Sequence, residues 1–258
     1  MKKESSISIT DENVSLESKE PKMNFKGSVK ALFGNGPWVI VLLLSFLNFL
    51  RLALTNSSIT YYFVYYFKVD ETQSAIFSSL GVVAALVLLP FASKIVDKFG
   101  YNKTLVSSFI AIAVFGFMAY FSERNIMLVL IFYLLFTAAG SLPHVAVLAM
   151  LADTLEYGEA KYGLRLEGLG FAANSFAGKV APAMGALLVT VIFSVGGLDT
   201  TLSMGQEQSS SGIMALRLTM FLIPNVIAII QVVLAHVYPL NRTKMEEIYK
   251  KIIKNNIN

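Results

Sequence analysis

Lys179 closes a polar stretch, Ala152 to Lys179, in which Asp153, Glu156, Glu159, Lys161, Arg165 and Glu167 make a charged loop between two apolar runs. If Glu167 marks the water boundary, a helix rising about 1.5 Å per residue carries Lys179 about 18 Å into a hydrocarbon layer about 30 Å thick. The amine is therefore expected to be buried. Ser175 lies one helical turn before it and Asn174 beside it, amid small residues that let neighbouring backbones approach closely. An amine with hydroxyl and amide neighbours at mid-membrane can hydrogen-bond a polyhydroxylated substrate, or pair with a carboxylate that alternates between proton and cation. A purely structural lysine is the competing reading. Pro182 is expected to bend the helix just beyond it.

A second intramembrane cation, Arg51, belongs to a polar stripe of Asn48, Arg51, Thr55, Ser58, Tyr62 and Tyr66 spaced three or four residues apart on one helix face. Facing lipid, such an arginine would cost at least about 2.5 to 3.5 kcal/mol, so the stripe must face a partner helix or a wet cavity. Its role is either to tie helices together or to serve function. His144 follows Gly140, Ser141 and Pro143 in an otherwise apolar run, and by itself reads as a hydrogen-bonded packing residue. Asp153, Glu156 and Tyr157 would share one face if a helix continued through them, and pairing with Arg165 would make them a gate.

Six apolar runs must position these groups: roughly Trp38 to Phe67, Ser74 to Ser93, Thr104 to Phe121, Ile126 to Leu151, Leu169 to Val195 and Ile213 to Tyr238. Each can cross a bilayer. The chain of 258 residues is 55% hydrophobic and 15% charged, which reads as an all-α integral membrane protein. Residues 1–24 are charged and lack an apolar core, so they read as a disordered cytoplasmic tail rather than a signal peptide. Residues 25–36 read as an amphipathic helix on the membrane surface, 37–239 as the six-helix bundle, and 240–258 as a basic cytoplasmic tail. Most of the 21 lysines and arginines fall in segments on the N-terminal side of the membrane, while Lys68 and Arg124 alone occupy the opposite loops. Both termini are expected in the cytoplasm. The basic tails then anchor topology, and nucleic acid is not an expected partner.

There are no cysteines, nucleotide-binding loop, metal-ligand cluster or nucleophile constellation in the sequence, so neither an enzyme nor a metal site is expected. The loop Ser93 to Lys103 carries Asp97, Lys98, Gly100 and Lys103, suited to a tight hairpin between antiparallel spans.

At these residues the chain resembles the glycoside–pentoside–hexuronide:cation symporters, the melibiose-permease-like branch of the major facilitator superfamily. The resemblance rests on ADTLEYGE with Arg165, Glu167 and the lysine of the next helix, on GNGPW at Gly34 to Trp38, on the YYFVYYF run from Tyr61, and on Asp97-Lys98-x-Gly100. It runs through about residues 25 to 240 in the family's order, and the first 24 residues resemble that family's central loop. It implies that Lys179 lies near the sugar and cation sites, and that Asn174 and Ser175 resemble a polar sugar-facing pair. His144 stands where an aromatic residue faces sugar, and Asp153, Glu156, Arg165 and Glu167 resemble the cytoplasmic gate. Arg51 has no counterpart role.

Family members carry about twelve helices, built as two bundles that are each a 3+3 inverted repeat, and this chain has six. The expected protein is the C-terminal half of a Na⁺- or H⁺-coupled sugar or glycoside symporter of the cell membrane. It needs a second six-helix half, separate or self, and the coupling cation would bind mainly in that half. A self-sufficient homodimeric carrier and a non-transporting membrane module or inert remnant are the alternatives.

Overall fold

A computed structural model describes residues 25–163, 166–202, 206–241, 244–248 and 250. The tail called at residues 1–24, residues 242, 243, 249 and 251–258 of the tail called at 240–258, and the gate residue Arg165 lie outside the described residues. Six helical spans are long and apolar enough to cross a membrane, and this is a multi-pass membrane protein.

A short helix, α1 (Phe25–Phe33), leads into α2 (Gly36–Tyr61), which opens into a π-turn over Tyr62–Tyr66 to complete the first span. Asn35 starts α2 by accepting a hydrogen bond from the Trp38 amide, and Pro37 sits in the first turn, where no intrahelical donor is needed. The second span is α3 (Glu71–Phe99), capped by Asp70, and the third is α4 (Tyr101–Phe121). Gly100 alone separates them. Its φ of +80° is open to glycine at little cost, so the expected hairpin shrinks to one residue.

The fourth span is broken. Its first piece α5 (Ile126–Ala139) stops at Gly140 and Ser141, and α6 (Leu142–Tyr162) restarts with Pro143 in its first turn. The fifth span is the unbroken α7 (Glu167–Gly196), which continues through Pro182. The sixth combines α8 (Ser210–Arg217), a second π-turn at Leu218–Leu222, and α9 (Ile223–Val237). Most helices outrun the apolar stretches that announce them. In particular, Asp153 to Tyr162 is helix rather than the expected charged loop.

The spans pack first against fifth, second against fourth, third against sixth, first against fourth, first against sixth and third against fourth. Second also meets third, fifth meets sixth, first meets second and fourth meets fifth. Exchanging the first three spans with the last three maps this set of pairings onto itself, as expected for a 3+3 repeat. The second and fifth spans, which exchange with each other, are the least covered by the rest of the chain. Between them lie the first and fourth, each touching both.

Small residues set the closeness of the fit. A Cβ at Gly185 would come within 2.6 Å of Ala53 Cβ, and one at Gly170 would run into Leu155 Cδ2. These contacts hold α7 against α2 and α6.

Candidate substrate site and cytoplasmic gate

Arg51 is fully buried, with Nη2 donating to Asn48 Oδ1 at 2.9 Å and the guanidinium 5.6 Å from the ring centre of Phe136. Asn48, Thr55, Ser58 and Tyr62 of the same stripe are also buried, so the stripe faces neighbouring helices as expected. The break in the fourth span makes room here: a Cβ on Gly140 would stand 3.3 Å from Arg51 Nη2. Around the break lies a cleft of about 170 Å³, floored by Arg51 and lined by polar groups that include Asn56, Tyr133, Ser141 and His144. His144 is half-buried against Phe49, with ring centres 5.6 Å apart.

Phe49 links this cleft to α7, because a Cβ on Gly178 would meet the Phe49 ring at 3.3 Å. Asn174, one turn before Gly178, is half-buried and its Oδ1 has no hydrogen-bond partner among the described residues. Ser175 and Lys179 stand on the adjoining row, and both are exposed. The expectation that Lys179 is buried therefore fails within this chain: α7 turns its buried row of Ala177, Ala181, Gly185 and Val189 inward and leaves the lysine on the uncovered side. Hydropathy along one helix gives depth in the membrane but not which face a neighbouring helix covers.

At the end of the bundle where α2 starts, Asn35 Nδ2 donates to the Thr154 carbonyl at 2.6 Å, and the Tyr162 hydroxyl donates to the Gly34 carbonyl at 2.8 Å. Gly158 must be small, since a Cβ there would lie 2.8 Å from Asn35 Nδ2. GNGPW and ADTLEYGE, far apart in sequence, thus meet in one junction. Asn35 is a contributor that sequence reading passed over: the Asn-Gly-Pro start signals a cap, but nothing in it announces the bond to another helix. Asp153 lines a larger pocket of about 700 Å³ together with Asp97, Gly100, Tyr101, Lys103 and Asn241. It stands on the same helix as Glu156, and Glu167 opens α7 in the first turn, where a carboxylate favours the helix dipole. Just beyond the sixth span, burial and the nearby Tyr101 and Asp153 hold the Tyr238 phenol above its ordinary pKa.

Residues 5–242 match the family model described as MFS/sugar transport protein. The chain belongs to that family. Within the sugar transport family, it is 29% identical over 192 residues to the isoprimeverose transporter of Lactiplantibacillus pentosus, covering 73% of this chain and 39% of that protein. It is 26% identical to the uncharacterized symporter YnaJ of Bacillus subtilis (strain 168), covering 94% of this chain and 52% of the relative. The glucuronide carrier protein homolog of Escherichia coli (strain K12) matches at 26% over 249 residues, again 94% and 52%. The chain spans about half the length of the curated relatives it matches. As a sugar transport family member, it takes half a major facilitator fold: six spans with the exchange pattern described above.

Proposed function

We propose that this bundle is the C-terminal half of a cation-coupled sugar or glycoside symporter of the cell membrane and is not an enzyme. It works against a second six-helix bundle, and both of its termini face the cytoplasm. The observation that carries the reading is Lys179, about 18 Å along α7 from Glu167, exposed on one of the two least covered spans and with no hydrogen-bond or ion-pair partner among the described residues. A cation at that depth facing lipid is costly, and a second bundle that shuts the lipid out and supplies a carboxylate removes the cost. Sugar would bind between the bundles against Lys179, Asn174, Ser175 and His144. The coupling Na⁺ or H⁺ would be held mainly by the second bundle.

Asp153, Glu156, Arg165 and Glu167 would form the inner gate, closing when the two bundles rock together at that end. The junction of Asn35 with α6 supports this role, because it ties the gate helix to the start of the bundle.

The test is uptake of radiolabelled sugar into cells or proteoliposomes that contain this chain together with a second six-span bundle of the family. Cation-dependent uptake that disappears in Lys179→Ala supports the assignment. Uptake indifferent to that substitution removes Lys179 from the site, uptake by this chain alone identifies the homodimeric carrier, and no uptake in any pairing leaves a non-transporting module.

A further inference from the structure

We propose that α1 is a docking helix for anionic phospholipid headgroups at the membrane surface where α2 begins, with Lys26 and Lys30 as its headgroup contacts. Its place follows from the chain. Nine residues of helix reach about 13 Å, less than half of a hydrocarbon layer about 30 Å thick, so α1 cannot cross. Only Gly34 and Asn35 separate it from the membrane-spanning α2, so it cannot leave the surface either.

The faces of α1 suit that place. Phe25, Val29 and Phe33 recur every fourth residue and form one row, and Lys26 and Lys30 form the row next to it. Phe25 and Phe33 are 73% and 61% exposed, so this chain does not cover the apolar row. Leu32 alone on α1 is buried against the bundle. Phenylalanines that the protein leaves open sink into the acyl boundary, and lysines beside them lay their stems on the lipid and hold their ammonium groups among the phosphates.

Charge selects the lipid. α1 carries no acidic residue, both of its lysines are exposed, and neither makes an ion pair among the described residues. A third exposed cation, Lys161 of α6, stands at the same end of the bundle, 5.1 Å from the ring centre of Tyr162, whose hydroxyl reaches the carbonyl of Gly34. Through that bond and the one from Asn35 to Thr154, a headgroup held by α1 also steadies the end of α6. The inference rests on the membrane placement of α1 and α2 and is independent of sugar transport.

Trp38, the single tryptophan, supplies the probe, because its ring meets Phe33 edge to face at 5.6 Å. The full chain is reconstituted in phosphatidylcholine vesicles that contain a rising share of acyl-brominated phosphatidylglycerol or acyl-brominated phosphatidylcholine, and quenching of Trp38 emission is followed. A lysine near an anionic surface is worth about a fivefold preference, so phosphatidylglycerol is expected to bind about fivefold or more tighter than phosphatidylcholine. The preference should be lost in Lys26→Gln with Lys30→Gln and kept in Lys26→Arg with Lys30→Arg. It should also weaken at about 1 M salt, where screening reaches about 3 Å.

Lys94 and Lys98 are exposed near the end of α3, on the same side of the membrane, and Lys94→Gln with Lys98→Gln should leave the preference intact. Equal quenching by the two lipids overturns the proposal, and so does a preference that survives the glutamines at 26 and 30. A loss as large in the α3 variant would assign the preference to the charge of the whole surface and not to α1. Quenching by neither lipid would show protein covering the α1 face, which also sinks the docking site.

Discussion

Arg51 and Lys179 stand at similar depths in the membrane, and their surroundings are opposite. Arg51 is enclosed by its own bundle, held by Asn48, covered by Phe136 and given space by Gly140. Lys179 is exposed on α7, with its neighbours Ser175 and Phe176 exposed beside it. The contrast teaches that depth alone does not define a buried charge. What separates the two is whether the helix face that carries the cation is covered by this chain or left for something else to cover.

The most direct way to break the contrast uses the absence of native cysteine. In the isolated chain, Lys179→Cys should be labelled readily by a small maleimide and Arg51→Cys should resist it. Adding the second bundle should then protect the first position and leave the second unchanged. Equal labelling at both positions in the isolated chain would erase the distinction.

Packing gives the next largest effect. Gly185→Val forces side-chain atoms into Ala53 at the α2–α7 seam and should lower unfolding stability by about 1 to 3 kcal/mol, measured by thermal or denaturant melts in detergent. Ala172→Val, on the exposed side of the same helix, should stay within about 0.5 kcal/mol. Removing the inner junction with Asn35→Ala takes away a cap and a cross-helix bond, and about 1 to 2 kcal/mol of stability should go with them. The smallest change belongs to the loops at the opposite end of the bundle. There Lys68 and Glu207 meet at 3.4 Å with both side chains exposed, and Glu207→Gln should shift the melt by less than about 0.5 kcal/mol.

Much of the fold was legible because hydropathy reports membrane thickness directly. Six spans, the Gly100 hairpin and the burial of the Arg51 stripe all follow from run length, turn chemistry and the cost of placing a polar group in lipid. What was not legible depends on lateral order. The exposure of Lys179, the bond from Asn35 to Thr154 and the approach of His144 to Phe49 each require knowing which helix stands beside which. The helical state of Asp153 to Tyr162 was missed for another reason: a charged segment past the membrane boundary keeps its helix when packing and a left-handed Gly163 terminate it, whatever its polarity.

The two π-turns meet edge to face through Tyr62 and Phe221, with ring centres 5.3 Å apart. Each wide turn carries about one residue more than an α-helical turn, so it resets the angular phase of everything beyond it by about 100°. The phases of the first and sixth spans are thereby matched to each other. Deleting one residue from Tyr62–Tyr66 alone would swing Tyr65, Tyr66 and Phe67 out of step with the sixth span, leaving the inner two-thirds of α2 and its Arg51 stripe in register.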